Sequence, residues 1–388
     1  MKELFKEKKL LKIPGPTPIP TRVVRAMEQP MIGHRSTDFS LILQEVTRKC
    51  KGVFQTMNDL FVLTSSGTGG LETAVVNTIS PGDKVLVAST GVFGERFAKL
   101  GAIYGARVEK IKTEPGRAVD PEAIRDKLDK EPDIKGVFVT HNETSTGVQN
   151  DCAAIGRILK ERDALFIVDA VSSLGAVDIR TDEWGIDILV TGSQKAFMLP
   201  PGLAMINVSQ KAWEVVNAVD TPRFYFDLRA MRDRAPKQTP FTPNVTLTLG
   251  LLEALNMIEE EGLTNIFRRH EIMQTMTRSA FKAMGLELLA EDDCASKTVT
   301  AVKGPKGLNV DGFRKVLDSK YNISIAGGQG DLKGKIFRVA HMGYTDYMET
   351  IMTIAGIELA LKDMGYPVEL AVGVRKAQEV LINESPGS

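Results

Sequence analysis

A lysine stands in an awkward place in the stretch "DILVTGSQKAFMLPPG", residues 187–202. The apolar run Ile188-Leu189-Val190 reads as a buried strand, and it delivers Lys195 just ahead of Phe197, Met198 and Leu199. An ammonium among apolar groups is costly unless it is paired or neutralised. Lysine commonly snorkels to solvent. A lysine whose pKa is lowered by apolar surroundings is instead an amine nucleophile. Three other groups also sit where an apolar run ends. Asp169 closes "LFIVD" (165–169), "SSGTGG" (65–70) follows "LFVLT" (60–64), and Phe93 in "TGVFG" follows "KVLVAS" (84–89). Alone, Asp169 reads as a turn cap; in a buried site it would hold a proton on a heteroaromatic nitrogen. The glycine-rich turn reads either as an N-cap or as an anion cradle at a helix N-terminus. It lacks the Gly-Lys-Ser/Thr of a nucleotide loop and the G-x-G-x-x-G spacing, so one phosphate fits it better than a pyrophosphate.

These groups act together only if one sheet presents them. From Leu60 to Val208, strand-like runs at 60–64, 84–89, 136–140, 165–169, 187–192 and 203–208 alternate with helical stretches at 69–79, 92–104, 120–130 and 151–162. Runs this apolar imply strands covered on both faces, hence a largely parallel α/β sheet. In such sheets ligands bind beyond the carboxyl ends of the strands. That rim collects Lys195, Asp169, the glycine-rich turn, Phe93 and "HNETSTG" (141–147). A long helical stretch is expected at about 246–284. Shorter elements follow: "KTVTAV" (297–302), a helix near 310–318, "IFRVA" (336–340) and a helix at about 345–362. The expected division is an N-terminal segment (1–20), a large domain (21–284) and a smaller C-terminal α+β domain (285–388).

Composition narrows the partners. At 388 residues the chain suits about two domains. Its 43% hydrophobic and 25% charged residues are those of an ordinary globular protein. Lys plus Arg (49) equals Asp plus Glu (49), which argues against a nucleic-acid or acidic-membrane surface. No apolar run is long enough for a bilayer span, and "MKELFKEKKLLKIPGP" has no secretory h-region. Cys50, Cys152 and Cys294 form neither a disulfide framework nor a metal-site spacing. The expectation is a cytoplasmic protein with no metal, nucleic-acid or membrane partner.

One cofactor asks for all four groups: pyridoxal 5′-phosphate. It has an aldehyde for a lysine, a pyridine nitrogen for an aspartate, a phosphate for a helix N-terminus and a flat ring for an aromatic. Covalent attachment would then neutralise Lys195 in its pocket. The motifs "PGPTPIP", "GHRSTDF", "SSGTGGLE", "GVFGER", "HNETSTG", "VDAVSSLGA", "GSQKA", "TPFTP" and "FRVAHMG" follow one another from Pro14 onward. In that order the chain resembles the class V aminotransferases of fold type I, in the branch of alanine–glyoxylate and serine–glyoxylate (serine–pyruvate) aminotransferases. The resemblance implies a large, mostly parallel seven-stranded α/β/α domain with a smaller α+β domain. It implies Lys195 as Schiff-base lysine and proton shuttle, Asp169 on the pyridine nitrogen and Phe93 stacked on the ring. It implies Ser66, Gly67, Thr68 and Gln194 on the phosphate, and Thr144 on the ring 3′-oxygen. Arg338 would take the substrate α-carboxylate, with Gly33 and Arg35 of "GHRSTDF" near the substrate. Thr242 would reach the phosphate of a second subunit, which implies a homodimer. The implied reaction passes an amino group from alanine or serine to glyoxylate or pyruvate in two half-reactions.

Leu249 departs from the pattern, because many relatives carry Tyr there; a change in packing is expected. Aspartate or phosphoserine aminotransferases are the nearer rivals, with Arg35 serving a second acid. Cysteine desulfurases need a cysteine shortly before the carboxylate-binding arginine, and residues 322–338 hold none. A hydrogenase-associated subunit without catalysis fits poorly with Lys195, Asp169 and Arg338 all present, and no iron–sulfur or nickel cysteine pattern occurs.

Overall fold

The computed structural model describes residues 9–384. Residues 1–8 of the expected N-terminal segment and 385–388 of the expected C-terminal domain lie outside the described residues. The chain runs through strands β1 (Leu10–Lys12), β2 (Asp59–Thr64), β3 (Lys84–Ser89), β4 (Arg107–Lys112), β5 (Ile134–Thr140), β6 (Leu165–Asp169), β7 (Ile188–Gly192) and β8 (Leu203–Val208). Seven of them form one sheet in the order β2-β8-β7-β6-β5-β3-β4. Only β8 runs against its neighbours, and the strands from β7 to β4 pair in parallel. The carboxyl ends of β2, β3, β5, β6 and β7 therefore share one rim. Helices α1 (Gly67–Thr78) and α2 (Val92–Ile103) leave that rim directly after β2 and β3.

Alternation with period two decides the two faces of the sheet. Leu86, Val137, Phe166, Val168 and Leu189 enter one core, and Val85, Val87, Phe138, Ile167 and Val190 enter the other. Strands β6, β7 and β8 are buried along their whole length. This sheet is the seven-stranded, mostly parallel one that the motif order implied. Its seventh strand, β4, has no counterpart among the six apolar runs. "RVEKIK" is charged and half-exposed because it lies on the sheet edge.

A second sheet joins β9 (Val299–Lys303), β10 (Ile323–Gly327) and β11 (Ile336–Ala340) to β1, in the order β1-β10-β11-β9. Its edge strand thus comes from the opposite end of the chain, with Leu10, Leu11 and Lys12 paired to Ile323, Ser324 and Ile325. Residues 10–12, expected in a separate segment, belong to this C-terminal sheet. The long helical stretch expected at about 246–284 is made of two helices, α3 (Val245–Glu261) and α4 (Leu263–Ala283). Gly262, at φ 79°, breaks them in a left-handed conformation that glycine adopts without steric cost. Ile272, Met276 and Phe281 of α4 pack with Phe313 of α5 (Val310–Lys320), Phe337 of β11 and Ile357 of α6 (Tyr347–Asp363). So α4, expected within 21–284, shares its core with the smaller sheet. Among the described residues no helix is long and apolar enough to cross a membrane.

Candidate active site

Two walls meet at the rim. The first is the start of α1. Ser66 is its N-cap, its Oγ accepting from the Gly69 N–H at 3.4 Å. The glycines here are sterically required. A Cβ on Gly67 would meet Val171 Cγ2 at 2.7 Å, and one on Gly69 would meet Ser65 Oγ at 1.9 Å. Gln194 lies beside this turn, since a Cβ on Gly192 would touch Gln194 Oε1 (3.0 Å) and Gly67 Cα (3.5 Å). Gln194 Oε1 is buried with no hydrogen-bond partner among the described residues. Thr68 Oγ1 accepts from Arg96 Nη1 at 3.3 Å, and the Arg96 guanidinium lies 4.8 Å from the Phe93 ring centre.

Lys195 follows β7 and turns toward the chain's N-terminal loop. Its Nζ donates to the Pro14 carbonyl. A Cβ on Gly15 would sit 2.4 Å from Nζ, so only glycine leaves room for the amine there. Thr17 braces the same turn, its N–H donating to Gln194 O at 3.1 Å and its Oγ1 to Lys195 O at 2.9 Å. Burial lowers the Lys195 pKa from 10.5 to about 8; the Asp169 charge works against that shift, and Arg338 and Arg96 add to it. Asp169, 4% exposed at the end of β6, moves the other way. Burial raises its pKa to about 6, although its Oδ1 accepts from the Val171 N–H at 3.0 Å. The rim thus holds an amine that loses its proton more readily than a free lysine and a carboxyl that takes one up more readily than a free aspartate, and opposite shifts of this kind cluster at functional sites.

The second wall is "HNETSTG". Glu143, fully buried, accepts through Oε2 from the Phe93 (2.9 Å) and Gly94 (3.0 Å) N–H groups. Its Oε1 accepts from the Ser145 N–H (3.1 Å) and Oγ–H (2.5 Å). Helix α2 has no side-chain cap of its own, and Glu143 closes its first turn from across the rim, where negative charge is favoured. This residue was not singled out in the sequence; its signal was a carboxylate inside an otherwise hydroxyl-rich loop. Thr144 accepts through its carbonyl from Arg338 Nη1 at 2.8 Å, and Arg338 Nε donates to Gly327 O at 2.8 Å. Arg338 is 5% exposed, and its Nη2 makes no hydrogen bond among the described residues. Burial brings its pKa down to about 10, against the pull of Glu143 and aided by Arg314.

Lys195, Phe93, Thr144 and Arg338 open into one cleft of about 370 Å³, shared with Pro14, Gly15, Arg314, Gly327 and Gln329. Gly33, Arg35 and Thr242 do not line it. Arg35 is exposed and donates to Gln238 Oε1 (3.1 Å), Thr239 O (2.7 Å) and Pro240 O (3.2 Å). Thr242, also exposed, lies 3.5 Å from His34 Nε2. Gly33 has nothing within 4 Å of a built Cβ. Leu249, half-buried, packs against the small cluster of Phe39, Leu43 and Val245.

The residues fit pyridoxal 5′-phosphate. A cup at α1 that excludes any Cβ, beside a buried amide with an unpartnered atom, suits a phosphate. That amide can be turned over to present N–H donors, because its O and N are alike in shape. The aromatic ring, the buried carboxyl and the low-pKa amine supply the remaining needs of such a group.

Residues 10–336 match the family described as Aminotransferase class-V. The L-aspartate–glyoxylate aminotransferase of Paracoccus denitrificans is 41% identical, over 95% of this chain and 94% of that protein. The soluble hydrogenase 42 kDa subunit of Anabaena cylindrica is 44% identical, over 97% of this chain and 100% of that protein. The crystal structure of pyridoxamine–pyruvate aminotransferase from Mesorhizobium loti superposes with a TM-score of 0.93 at 30% identity, covering 97% of each chain.

Proposed function

The chain belongs to the class V aminotransferases, enzymes that depend on pyridoxal 5′-phosphate, and on that premise we propose that it passes the amino group of alanine or serine to glyoxylate or pyruvate. The observation that carries the proposal is the opening of a low-pKa lysine and a buried arginine into a single cleft. When bound, the cofactor supplies an aldehyde for amines and a ring that takes up the electron pair left at Cα. Lys195 has two tasks. Its neutral amine is the nucleophile, and once freed by the incoming amino acid it carries the Cα proton. Asp169 would hold a proton at the ring nitrogen, and Phe93 would pack against the ring. Thr144 would bond the ring oxygen, while Ser66, Gly67, Thr68 and Gln194 would hold the phosphate. Arg338 binds the α-carboxylate through the N–H groups that Gly327 and Thr144 leave free; its planar fork suits a carboxylate. One amino acid leaves as its keto acid before a second keto acid enters, so the kinetics are ping-pong.

The active assembly proposed is a homodimer. Phe224 is 78% exposed and Tyr225 42%; the Tyr225 ring stacks on Phe241 at 5.2 Å between centres, and the Phe224 ring lies tilted against it at 5.1 Å. This aromatic surface adjoins Thr242, and large exposed apolar patches commonly mark interfaces. A second copy seated there would bring its own Thr242 to the phosphate. Arg35, tied to residues 238–240, shapes this face and not the substrate pocket. The proposed location is the cytoplasm, in keeping with three free cysteines.

The decisive experiment is a half-transamination panel. Protein loaded with pyridoxal 5′-phosphate is mixed with alanine, serine, aspartate or phosphoserine, and the spectrum is followed. Glyoxylate, pyruvate and 2-oxoglutarate are then offered to the aminated enzyme. Alanine or serine, followed by glyoxylate or pyruvate, is expected to complete the cycle. No spectral change with any amino acid sinks the proposal.

A further inference from the structure

Arg314 is a cation that the proposed reaction does not use. It projects from α5, and its Nε donates to Ile325 O at 3.2 Å, which holds the guanidinium against the end of β10. A Cβ on Gly327 would lie 2.7 Å from Arg314 Nη1. Arg338 approaches the same glycine, donating from Nε to its carbonyl at 2.8 Å. One residue without a side chain thus separates two guanidinium groups, and both line the cleft that holds Lys195. The two are close enough that the Arg314 charge helps Arg338 lose its proton.

The charge balance of the cleft is one-sided. Lys195, Arg314 and Arg338 line it, and no carboxylate does among the described residues. Glu143, nearest in effect to Arg338, is committed to Phe93, Gly94 and Ser145. Asp311 meets Arg314 Nη1 at 3.1 Å, but it is 55% exposed and holds the arginine from the solvent side. An amino acid with one carboxylate engages Arg338 through its acid, which leaves Arg314 paired, among the described residues, only with Asp311 on the solvent side. A second carboxylate a short distance along the substrate would match it, and guanidinium groups favour planar carboxylates.

We propose that Arg314 and Arg338 together form a two-carboxylate site, so that a short acidic amino acid such as aspartate is a donor alongside alanine and serine, with Arg314 reading the distal acid. The proposal rests on the aminotransferase reading of the same cleft. It also moves the distal-acid role away from Arg35, which is outside this cleft and gives three hydrogen bonds to residues 238–240.

The test compares aspartate and alanine as donors to glyoxylate in the intact holoenzyme and in Arg314→Gln, Arg314→Lys and Asp311→Asn. Arg314→Gln should lower kcat/KM for aspartate by about tenfold or more, chiefly through KM, and change alanine by no more than about twofold. Arg314→Lys, which keeps the charge and loses the fork, should fall between. Asp311→Asn, which frees the guanidinium, should not weaken aspartate. Succinate, a dicarboxylate that cannot react, should inhibit the wild type better than acetate and lose that advantage in Arg314→Gln. Wild-type enzyme that turns over alanine but not aspartate overturns the two-carboxylate site and leaves the aminotransferase reading intact. So does an equal loss for both donors in Arg314→Gln and Arg314→Lys. Absence of turnover with every donor overturns both.

Discussion

At Lys195 the proposed chemistry depends on one titration. Burial holds its pKa at about 8 in place of 10.5, so the reactive neutral amine grows as pH rises through about 8. Uptake of pyridoxal 5′-phosphate by cofactor-free protein should accelerate over that range, and stopped-flow absorbance would show it. A rate flat across that range would mean the amine titrates elsewhere. Lys195→Ala should keep the fold and lose turnover by several orders of magnitude, since the proposed nucleophile and proton carrier disappear together. Asp169 has the opposite sign. Its folded pKa of about 6 exceeds the ordinary 3.8, so its contribution to stability is fully present below 3.8 and lost as pH rises through about 6. Asp169→Asn imitates the protonated form. In the absence of cofactor it should therefore be more stable than wild type at neutral pH, on the order of 3 kcal/mol, with the gap closing in acid. Thermal melts at several pH values would measure this, and equal melting at neutral pH would refute it. The same variant should transaminate poorly. These groups were legible because each ends an apolar run. The surroundings of Arg35 were not, because its partners are 203 to 205 positions away in the chain.

At the level of elements, the start of α2 depends on a carboxylate from another loop. Glu143→Gln keeps the shape and removes the charge from four hydrogen bonds. Charge-assisted bonds contribute about 1.5–3 kcal/mol each, and a neutral amide retains part of that, so a loss of roughly 1–3 kcal/mol in urea unfolding is expected. An unchanged midpoint would mean that Glu143 is a bystander. Sequence periodicity located the central strands because they are buried on both faces, which leaves an unbroken apolar signal. It passed over β4, whose exposed edge carries charge, and it gave the stretch at 246–284 without the break at Gly262, since a single glycine barely interrupts an apolar helical pattern. The strand at 323–327 was missed for a related reason: "ISIAG" is short and ends in glycine.

For the molecule as a whole, the exposed aromatic face sets the prediction. Phe224→Asp should cost the folded chain little, because the side chain is 78% exposed. If a second copy covers that face, the variant should sediment as a monomer and bind pyridoxal 5′-phosphate weakly. A fully active monomer, mutant or wild type, would end the dimer proposal. The balance of 49 basic and 49 acidic residues puts no net repulsion between copies. The two-sheet architecture could be foreseen from the order of strands and helices, but the membership of β1 could not. Its pairing with β10 joins residues more than 300 positions apart, and three residues carry no register of their own.

That pairing has a practical consequence for anyone reshaping the protein. Residues 10–17 cross from the edge of the smaller sheet to the Lys195 amine: β1 is stitched to β10, Pro14 accepts from Lys195, Gly15 leaves space for it and Thr17 braces its turn. To a cloner these residues look like a leader to be trimmed or fused. Through Pro14 and Gly15 they line the cleft beside Lys195 instead, so truncation past Leu10, or a circular permutation opened between Lys12 and Pro18, should deliver a protein that still folds its large sheet and no longer aims its lysine.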